Sequence, residues 1–189
     1  MNALEVAGLK KDYAGFSLNV SFALEEGKIT GFIGRNGAGK TTTLKSVAGI
    51  LRFDAGEIRI GGTSIRTDPL ACKRKLAYIP DNPDLYDFMS GIQYLNFIAD
   101  IFGIPAAERW ARIEPYADAF ELTGDLGQPI SAYSHGMKQK LAIIAAWIHD
   151  PKLVIMDEPF VGLDPKASHI LKGMMREVCD EGGAIFFST

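Results

Sequence analysis

The sequence lacks most of the features that mark secreted, membrane-spanning or nucleic-acid-binding proteins. Its only two cysteines, Cys72 and Cys179, form no motif, so a reducing compartment is the simpler interpretation. No uninterrupted apolar stretch reaches about 18 residues, so no segment is predicted to span a bilayer, and any membrane connection must run through a partner. The net charge is −3 and no basic run is present, which argues against a nucleic-acid surface. Of the 189 residues, 47% are hydrophobic and 23% are charged. This length and composition predict an ordinary globular protein with one substantial core.

The most informative segment is Gly34–Thr41, with the sequence GRNGAGKT, between the apolar run Ile29–Ile33 and a predicted helix, Lys40–Leu51. It matches the pattern G-x-x-x-x-G-K-[ST] in full. Its glycines let the backbone curl so that successive N–H groups point inward and cradle phosphate oxygens, and the helix adds its positive end. Lys40 is predicted to reach the β- and γ-phosphates, and the Thr41 hydroxyl to ligate Mg²⁺. The alternative is a glycine-rich turn with a chance lysine.

A second motif indicates what is done with the nucleotide. The apolar run Leu153–Met156 ends in Asp157 and Glu158, at the end of a strand where open α/β sheets place their ligands. Asp157 is predicted to hold Mg²⁺, directly or through a water. Glu158 is then placed as a general base, or as a group that orients water for attack on the γ-phosphate. The alternative is a solvated acidic turn.

Apolar periodicity predicts strands near both ends of the chain. Ala3–Leu9 and Ser17–Leu24 alternate as half-buried strands do. The continuous apolar runs Leu153–Met156 and Ala184–Thr189 are typical of buried strands covered on both faces. These segments predict an α/β protein.

The middle of the chain has a different texture, with apolar residues at helical spacing. We predict that residues 84–149 form an inserted helical subdomain. Residues 1–83 and 150–189 then form the core lobe that carries both motifs. The aromatic side chains of the helical segment are expected mainly in its core: Tyr86, Phe88, Tyr94, Phe97 and Phe102.

The motifs and their order along the chain resemble those of the ATP-binding subunit of an ABC transporter. The resemblance extends from residue 3 to the end of the chain. Leu153–Glu158 matches the family's Walker B segment, Gly162–Asp164 matches its D-loop, and Tyr133–Met137 occupies the signature position. In the family an aromatic residue stacks on adenine, and Tyr13 matches it. The ATP-binding residues that the resemblance implies are Tyr13, Gly34, Arg35, Asn36, Gly37, Ala38, Gly39, Lys40, Thr41, Thr42, Ser134, Gly136 and Asp164.

The resemblance also implies a fold and a reaction. The expected fold is α/β, a P-loop NTPase of the ABC ATPase type, with a mostly parallel core sheet, an N-terminal antiparallel β part and the helical insertion. The expected reaction is hydrolysis of ATP with Mg²⁺, in which Lys40 and Glu158 are catalytic. This reaction powers transport, and the subfamily resemblance favours export.

The partners follow from the same resemblance. Two such domains pair head to tail, so that Ser134 and Gly136 of one subunit close on the γ-phosphate held by the other's Walker A loop. Integral membrane permease subunits are the remaining partners, and no nucleic acid is expected. The chain is then placed in the cytoplasm, peripherally on the cell membrane. The permease groove is expected near Asp84–Gly91, where exposed side chains would support it: Tyr86, Phe88 or Met89.

Three departures from the family pattern limit the comparison. His135 and Met137 replace a glycine and a glutamine of the usual signature, which resembles the variant of exporter-type subunits, ABC-2 systems included. Asp81 stands where the family's Q-loop glutamine is found, and is expected to touch Mg²⁺ or the attacking water. The chain ends at Thr189, where a histidine that contacts the γ-phosphate would follow. We therefore expect an incomplete chain that binds ATP better than it hydrolyses it.

Other functions stay open at this stage. Soluble ABC ATPases that act on ribosomes, DNA or Fe–S assembly tend to carry fused cassettes, coiled-coil insertions or basic arms, none of which is visible. A kinase or GTPase does not explain Tyr133–Met137, and a guanine-reading Asn-Lys-x-Asp is absent. Glu158 argues against a non-hydrolysing ATP sensor, whereas Asp81 leaves that alternative open.

Overall fold

Strands and helices alternate along the chain after an N-terminal hairpin. The computed structural model describes all residues, 1–189. In chain order the elements are β1 Asn2–Tyr13, β2 Phe16–Glu25, β3 Ile29–Phe32, α1 Lys40–Val47, β4 Ala55–Ile60, β5 Thr63–Ser64, α2 Pro69–Lys75, β6 Leu76–Ile79, α3 Gly91–Ile101, α4 Ala106–Ala119, α5 His135–Trp147, β7 Leu153–Met156, α6 Pro165–Asp180 and β8 Ala184–Ser188. Two short 3₁₀ turns, Thr123–Asp125 and Ile130–Ala132, lie between α4 and α5.

The N-terminal β part is an antiparallel sheet with the strand order β2-β1-β4-β5. β1 pairs with β2 from Asn2 opposite Glu25 to Tyr13 opposite Phe16, and pairs with β4 on its other side. Alternation along β1 puts Leu4 and Val6 in the core and leaves Glu5 exposed, as a sheet with one covered face requires. The predicted antiparallel part is confirmed.

The second sheet has the order β3-β8-β7-β6, and β8 runs parallel to both of its neighbours. All four residues of β7 are buried, because this strand lies inside the sheet and is covered on both faces. The two sheets share one apolar core, in which the rings of Phe22 and Phe32 pack on Phe186 with centroids 5.3 and 5.6 Å from it. The predicted α/β class with a mostly parallel sheet is confirmed.

The chain divides into two compact units. Unit 1 comprises Met1–Tyr78, Pro151–Pro159 and Met175–Thr189, and therefore holds both sheets; unit 2 comprises Ile79–Asp150 and Phe160–Met174. Unit 2 contains the whole segment 84–149 that we predict as a helical subdomain, but it also takes in residues 79–83 and 160–174. The predicted division of the family domain at residues 84 and 149 stays a prediction.

Unit 2 is helical, and its first helix shows how local signals set its boundaries. Ser90 caps α3 by accepting the Gln93 backbone N–H at 3.3 Å, and the Gln93 side chain accepts the Ser90 N–H in return. Helix α4 begins at Ala106 and continues through Pro115 to Ala119. No helix of the structure combines the length and the apolar character that crossing a membrane requires.

The predicted burial of the aromatic residues in unit 2 is wrong. Tyr86 and Phe88 are 46% and 81% exposed. The buried side of α3 is formed instead by Leu95 and Ala99, so the rings lie outside it and pack on one another. Tyr86 stacks on Phe88 at 5.8 Å and meets two further rings edge-on, at centroid distances of 6.0 and 5.6 Å: Tyr94 and Phe97. Phe97 and Phe102 are only partly buried.

Candidate nucleotide-binding site

The phosphate-binding motif lies in unit 1, on the turn from β3 into α1. Gly37 and Gly39 have φ of +81° and +92°, a conformation that residues with a side chain rarely adopt. A Cβ at Gly39 would also lie 2.9 Å from the Phe16 ring and 3.0 Å from a methyl group of Leu18. No side chain caps α1, so the first N–H groups of this helix are available to an anion.

Lys40 is held inside this loop. Its side chain turns back so that Nζ donates to the carbonyl oxygen of Gly34 at 2.6 Å, with Arg35 O at 3.5 Å. The residue is only 8% exposed, and the hydrogen-bond partners of its ammonium group are neutral carbonyls rather than carboxylates. A shielded positive charge is therefore available to a phosphate in a setting where charge interactions are strong.

The threonines after Lys40 have different environments. Thr43 is buried and its Oγ1 donates to Gly39 O at 2.9 Å, so this hydroxyl is used within the helix. Thr41 is exposed on the first turn of α1, and Thr42 is partly buried. Of the three hydroxyls only that of Thr43 is used within the helix, so the predicted role of Thr41 at a metal ion stays a prediction.

The acidic pair follows β7 at the carboxyl end of the parallel sheet. Asp157 is 2% exposed, and its Oδ1 accepts a hydrogen bond of 2.5 Å from the Ser188 hydroxyl. Glu158 is only partly buried, and its backbone has φ of +46°, which costs about 1–2 kcal/mol in a residue other than glycine. Its N–H donates to the same Ser188 Oγ at 3.0 Å. Asp157 therefore belongs to the buried interior, whereas the Glu158 side chain reaches the surface.

Ser188 is a site residue that the sequence analysis missed. It is the last residue of β8, and the register that pairs Met156 with Phe187 brings Asp157 and Ser188 to the same level of the sheet. The only signal in the sequence is that Ser188 is a polar residue directly after the apolar run of a buried strand. Asp157 follows its own apolar run in the same way.

The donor set of unit 1 fits a divalent cation. Asp157 Oδ2 is buried and has no hydrogen-bond partner, an arrangement that costs free energy unless a further partner is bound. Carboxylate and hydroxyl oxygens are the ligands that Mg²⁺ prefers, and Asp157 and Thr41 supply one of each. These two residues are therefore suited to hold Mg²⁺.

Tyr13, the predicted adenine-stacking residue, lies at the end of β1. Its ring is nearly half exposed and stacks on Phe16 with a centroid distance of 6.5 Å. Lys11 Nζ lies 5.5 Å from the ring centroid. An exposed, supported aromatic face suits stacking on a base, so the assignment stays a prediction that the geometry permits.

The signature segment lies in unit 2, at the start of α5. Ser134 caps this helix by accepting the Met137 N–H at 3.2 Å, and it is exposed. The His135 ring packs on Gly162 so closely that a Cβ there would lie 2.5 Å from its Cδ2. A Cβ on Gly136 would lie 3.0 Å from Gly162 O. Within unit 2, the signature segment and the D-loop are therefore in direct contact.

Asp164 has a structural role that the sequence did not predict. Its carboxylate accepts the Ala167 N–H at 2.8 Å in the first turn of α6 and pairs with Lys140 at 3.0 Å. The backbone N–H first, and then Lys140, lower the pKa of this carboxyl. Asp81 is exposed and accepts only the N–H of Asn82, at 2.9 Å, so its predicted role at the metal stays a prediction.

A glycine-rich phosphate loop before a helix, a buried lysine and an aspartate at the carboxyl end of another strand of the same sheet define a P-loop nucleoside triphosphatase. Residues 18–161 match the family model described as ABC transporter. The chain belongs to this family, whose members bind ATP, typically with Mg²⁺, and hydrolyse it.

Individual relatives agree with this assignment. The chain is 36% identical over 171 residues to the ABC-type transporter ATP-binding protein EcsA of Bacillus subtilis, covering 90% of this chain and 69% of the relative. It is 31% identical over 188 residues to the Nod factor export ATP-binding protein I of Ralstonia nicotianae, covering 98% and 59%. It thus spans 59–69% of the length of these curated relatives. A solved ATP-binding subunit of an ABC transporter superposes with a TM-score of 0.91 and 36% identity, covering 99% of this chain and 79% of that one.

Proposed function

We propose that this chain is the ATP-binding and ATP-hydrolysing part of an ABC exporter, driven by head-to-tail dimerisation of two such subunits at the cytoplasmic face of the membrane. The observation that carries the proposal is the pair Asp157 and Glu158. One carboxylate is buried with an oxygen that has no hydrogen-bond partner, and the next is partly exposed on a strained backbone. The first suits a metal ion and the second suits a reacting water.

The phosphate groups are bound by unit 1. Backbone N–H groups of the loop and of the first turn of α1 donate to phosphate oxygens, and Lys40 adds its positive charge. To do so, Lys40 exchanges the carbonyl of Gly34 for phosphate oxygens, a stronger charge-assisted hydrogen bond. Thr41 and Asp157 would hold Mg²⁺ when it is bound, and the ion would supply positive charge to offset the negative charge of the phosphates.

Hydrolysis is assigned to Glu158. Its carboxylate orients a water molecule and accepts a proton as the oxygen attacks the γ-phosphorus, while the bond from that phosphorus to the β-phosphate oxygen breaks. Its backbone is held at the end of β7 by the hydrogen bond to Ser188. The site therefore supplies position and charge, which are the main requirements of phosphoryl transfer.

The second half of the site is assigned to a partner copy of this chain or to a related subunit. Ser134 is exposed at the N-terminus of α5, where a hydroxyl and backbone N–H groups suit the γ-phosphate of a neighbouring subunit. Gly136 next to it presents no side chain, which allows a close approach.

Attachment to a permease is assigned to the exposed aromatic cluster of unit 2, which consists of Tyr86, Phe88, Tyr94 and Phe97. Phe88 is 81% exposed, an unusual position for a large apolar ring on a free surface. The exposure of Tyr86 and Phe88 meets the expectation set for the docking surface. The export direction rests on the exporter-type signature and on the similarity to the Nod factor export protein of Ralstonia nicotianae.

The test is Glu158→Gln, which keeps size and polarity but removes the charge that accepts the proton. We expect ATP turnover to fall about 100-fold or more, since a general base contributes 10²–10⁴-fold. We expect affinity for ATP to stay within a few-fold and an ATP-bound dimer to accumulate, measured by size-exclusion chromatography with light scattering.

The matched control is Glu177→Gln, the same change at an exposed position of α6, which should leave turnover unaltered. Unchanged turnover in Glu158→Gln would overturn the assignment of the base. An absence of turnover in the unaltered protein, with ATP still bound, would favour the ATP-sensor alternative.

A further inference from the structure

One buried hydroxyl connects the two carboxylate residues of the site. Ser188 Oγ donates to Asp157 Oδ1 at 2.5 Å and accepts from the Glu158 N–H at 3.0 Å. Ser188 is fully buried, so no water competes for either hydrogen bond. Both the donor and the acceptor capacity of this hydroxyl are used by site residues.

We propose that Ser188 is a positioning residue that sets the Asp157 carboxylate for Mg²⁺ and the Glu158 backbone for catalysis; this inference rests on the function proposed above. Neither the family match, which ends at residue 161, nor the motifs of the sequence include Ser188. Its role follows from its contacts alone.

Ser188 affects Asp157 because only one of the two carboxylate oxygens has a hydrogen-bond partner. Oδ1 is engaged by the Ser188 hydroxyl, whereas Oδ2 is buried and has no partner. With one oxygen fixed, rotation of the carboxylate is restricted and Oδ2 remains the atom free for a cation. Outer-shell hydrogen bonds of this kind orient metal ligands, and their loss typically lowers metal affinity 10–100-fold.

The effect on Glu158 comes from its backbone. A φ of +46° is uncommon for a residue with a long side chain, and the structure around it must hold it there. The Glu158 N–H has Ser188 Oγ as its partner. Without that acceptor the N–H is left unsatisfied next to a buried strand end, and an extended backbone becomes the lower-energy choice, which moves the carboxylate.

A serine fits both tasks because a hydroxyl is donor and acceptor at once. Alanine removes both functions. Threonine keeps both and adds one methyl group, so Ser188→Thr is the conservative variant. A matched control is Ser64→Ala in β5, because Ser64 is also buried and its hydroxyl also accepts a backbone N–H, from Arg66 at 3.2 Å.

The experiment measures the Mg²⁺ enhancement of ATP binding, defined as the ratio of the dissociation constants of a fluorescent ATP analogue without and with Mg²⁺. We expect Ser188→Ala to reduce this enhancement about 10-fold or more, with metal-free binding unchanged. Turnover should fall through kcat more than through KM. Ser64→Ala should leave the enhancement unaltered, and Ser188→Thr should restore most of it.

A double-mutant cycle shows whether Ser188 acts through Asp157. In an Asp157→Asn background, Ser188→Ala should cause no further loss of the enhancement, because the oxygen that it orients is gone. This comparison holds even if Ser188→Thr does not fold, and circular dichroism of each variant identifies that case.

The outcomes separate this inference from the proposed function. An enhancement in Ser188→Ala equal to that of the unaltered protein would overturn the positioning role while leaving ATP hydrolysis intact. Equal losses in both backgrounds would show that Ser188 does not act through Asp157, which also overturns it. No Mg²⁺-dependent binding in the unaltered protein would instead contradict the proposed function.

Discussion

Three polar site residues of unit 1 are held differently from the site residues of unit 2. In unit 1, Lys40, Asp157 and Ser188 are buried, and each is fixed by hydrogen bonds from its own unit. In unit 2, Ser134 and Asp164 are exposed and are supported from behind by local backbone contacts. This difference is expected if unit 1 binds a nucleotide by itself and unit 2 presents a surface to another molecule.

Burying a charged site residue costs free energy, whereas exposing a polar one to water does not. A buried lysine or aspartate without a ligand is unfavourable, so a site of this kind must be assembled by the fold before the ligand arrives. An exposed serine at a helix N-terminus needs no such support. In the proposed dimer, Ser134 would act only once the partner subunit excludes water around it.

The largest effect that would test this comparison is expected for Lys40→Ala. Removal of a buried ammonium from the phosphate loop should weaken ATP binding about 100-fold or more. Lys45→Ala, at the other end of the same helix, is the control and should change affinity no more than about twofold. Binding is measured by isothermal titration calorimetry. Similar affinities for Lys40→Ala and the control would mean that unit 1 does not bind phosphate through this loop.

An intermediate effect is expected for Ser134→Asp, which keeps a good N-cap for α5 but adds a negative charge where a partner's γ-phosphate is proposed. ATP affinity of the isolated subunit should stay within about twofold, whereas turnover should fall about 10-fold or more. Ser134→Asn has the same shape without the charge and should lose less. Turnover is measured by phosphate release.

Mixing two variant subunits tests directly whether Ser134 of one subunit serves the nucleotide of the other. In a homodimer, equal amounts of Lys40→Ala and Ser134→Asp subunits form mixed dimers with one intact composite site. Turnover should then recover to about a quarter of that of the unaltered protein, since half of the dimers are mixed and each has one working site. No recovery, although mixed dimers form, would show that Ser134 does not serve the partner's nucleotide.

The smallest effect is expected for the difference in stability between Gly162→Ala and Gly182→Ala, which tests whether the D-loop supports the exposed segment of unit 2. Gly162 and Gly182 have the same φ of +83°, but only at Gly162 would a Cβ meet another group, the His135 ring at 2.5 Å. Both changes should lower the free energy of unfolding by about 1 kcal/mol, because alanine is strained at this positive φ. Gly162→Ala should cost about 1 kcal/mol more through the contact with His135.

The measurement is urea denaturation. In a His135→Gly background, Gly162→Ala should cost only the part due to φ, compared with His135→Gly alone. Equal losses for Gly162→Ala and Gly182→Ala would show that His135 moves away freely. The signature segment would then not be fixed by the D-loop.

Local patterns were sufficient to predict the main strands and to identify most of the candidate nucleotide site. The loop around Lys40 has an unambiguous residue spacing, and β7 is a continuous apolar run that ends in Asp157. The N-cap role of Ser134 at α5 is also local, because it depends only on the residues that follow it. Each of these predictions depends on neighbours within a few positions along the chain.

The failures involve contacts that depend on tertiary packing. The aromatic stripe of unit 2 was expected in the core, since periodicity identifies an apolar face but does not say which residues occupy it. Leu95 and Ala99 turned out to take the buried side of α3. The contact of His135 with Gly162 likewise joins residues 27 positions apart, and no local signal indicates it.

The sequence by itself determined the family, the phosphate loop and the acidic pair, because spacing and residue type over a few positions specify them. Only the tertiary structure decided that Ser188 lies beside Asp157 and that one oxygen of Asp157 is left free. The physical reason is the register of β7 and β8, which brings residues 31 positions apart to the same end of a parallel sheet. That register results from the packing of the whole core, which no short segment encodes.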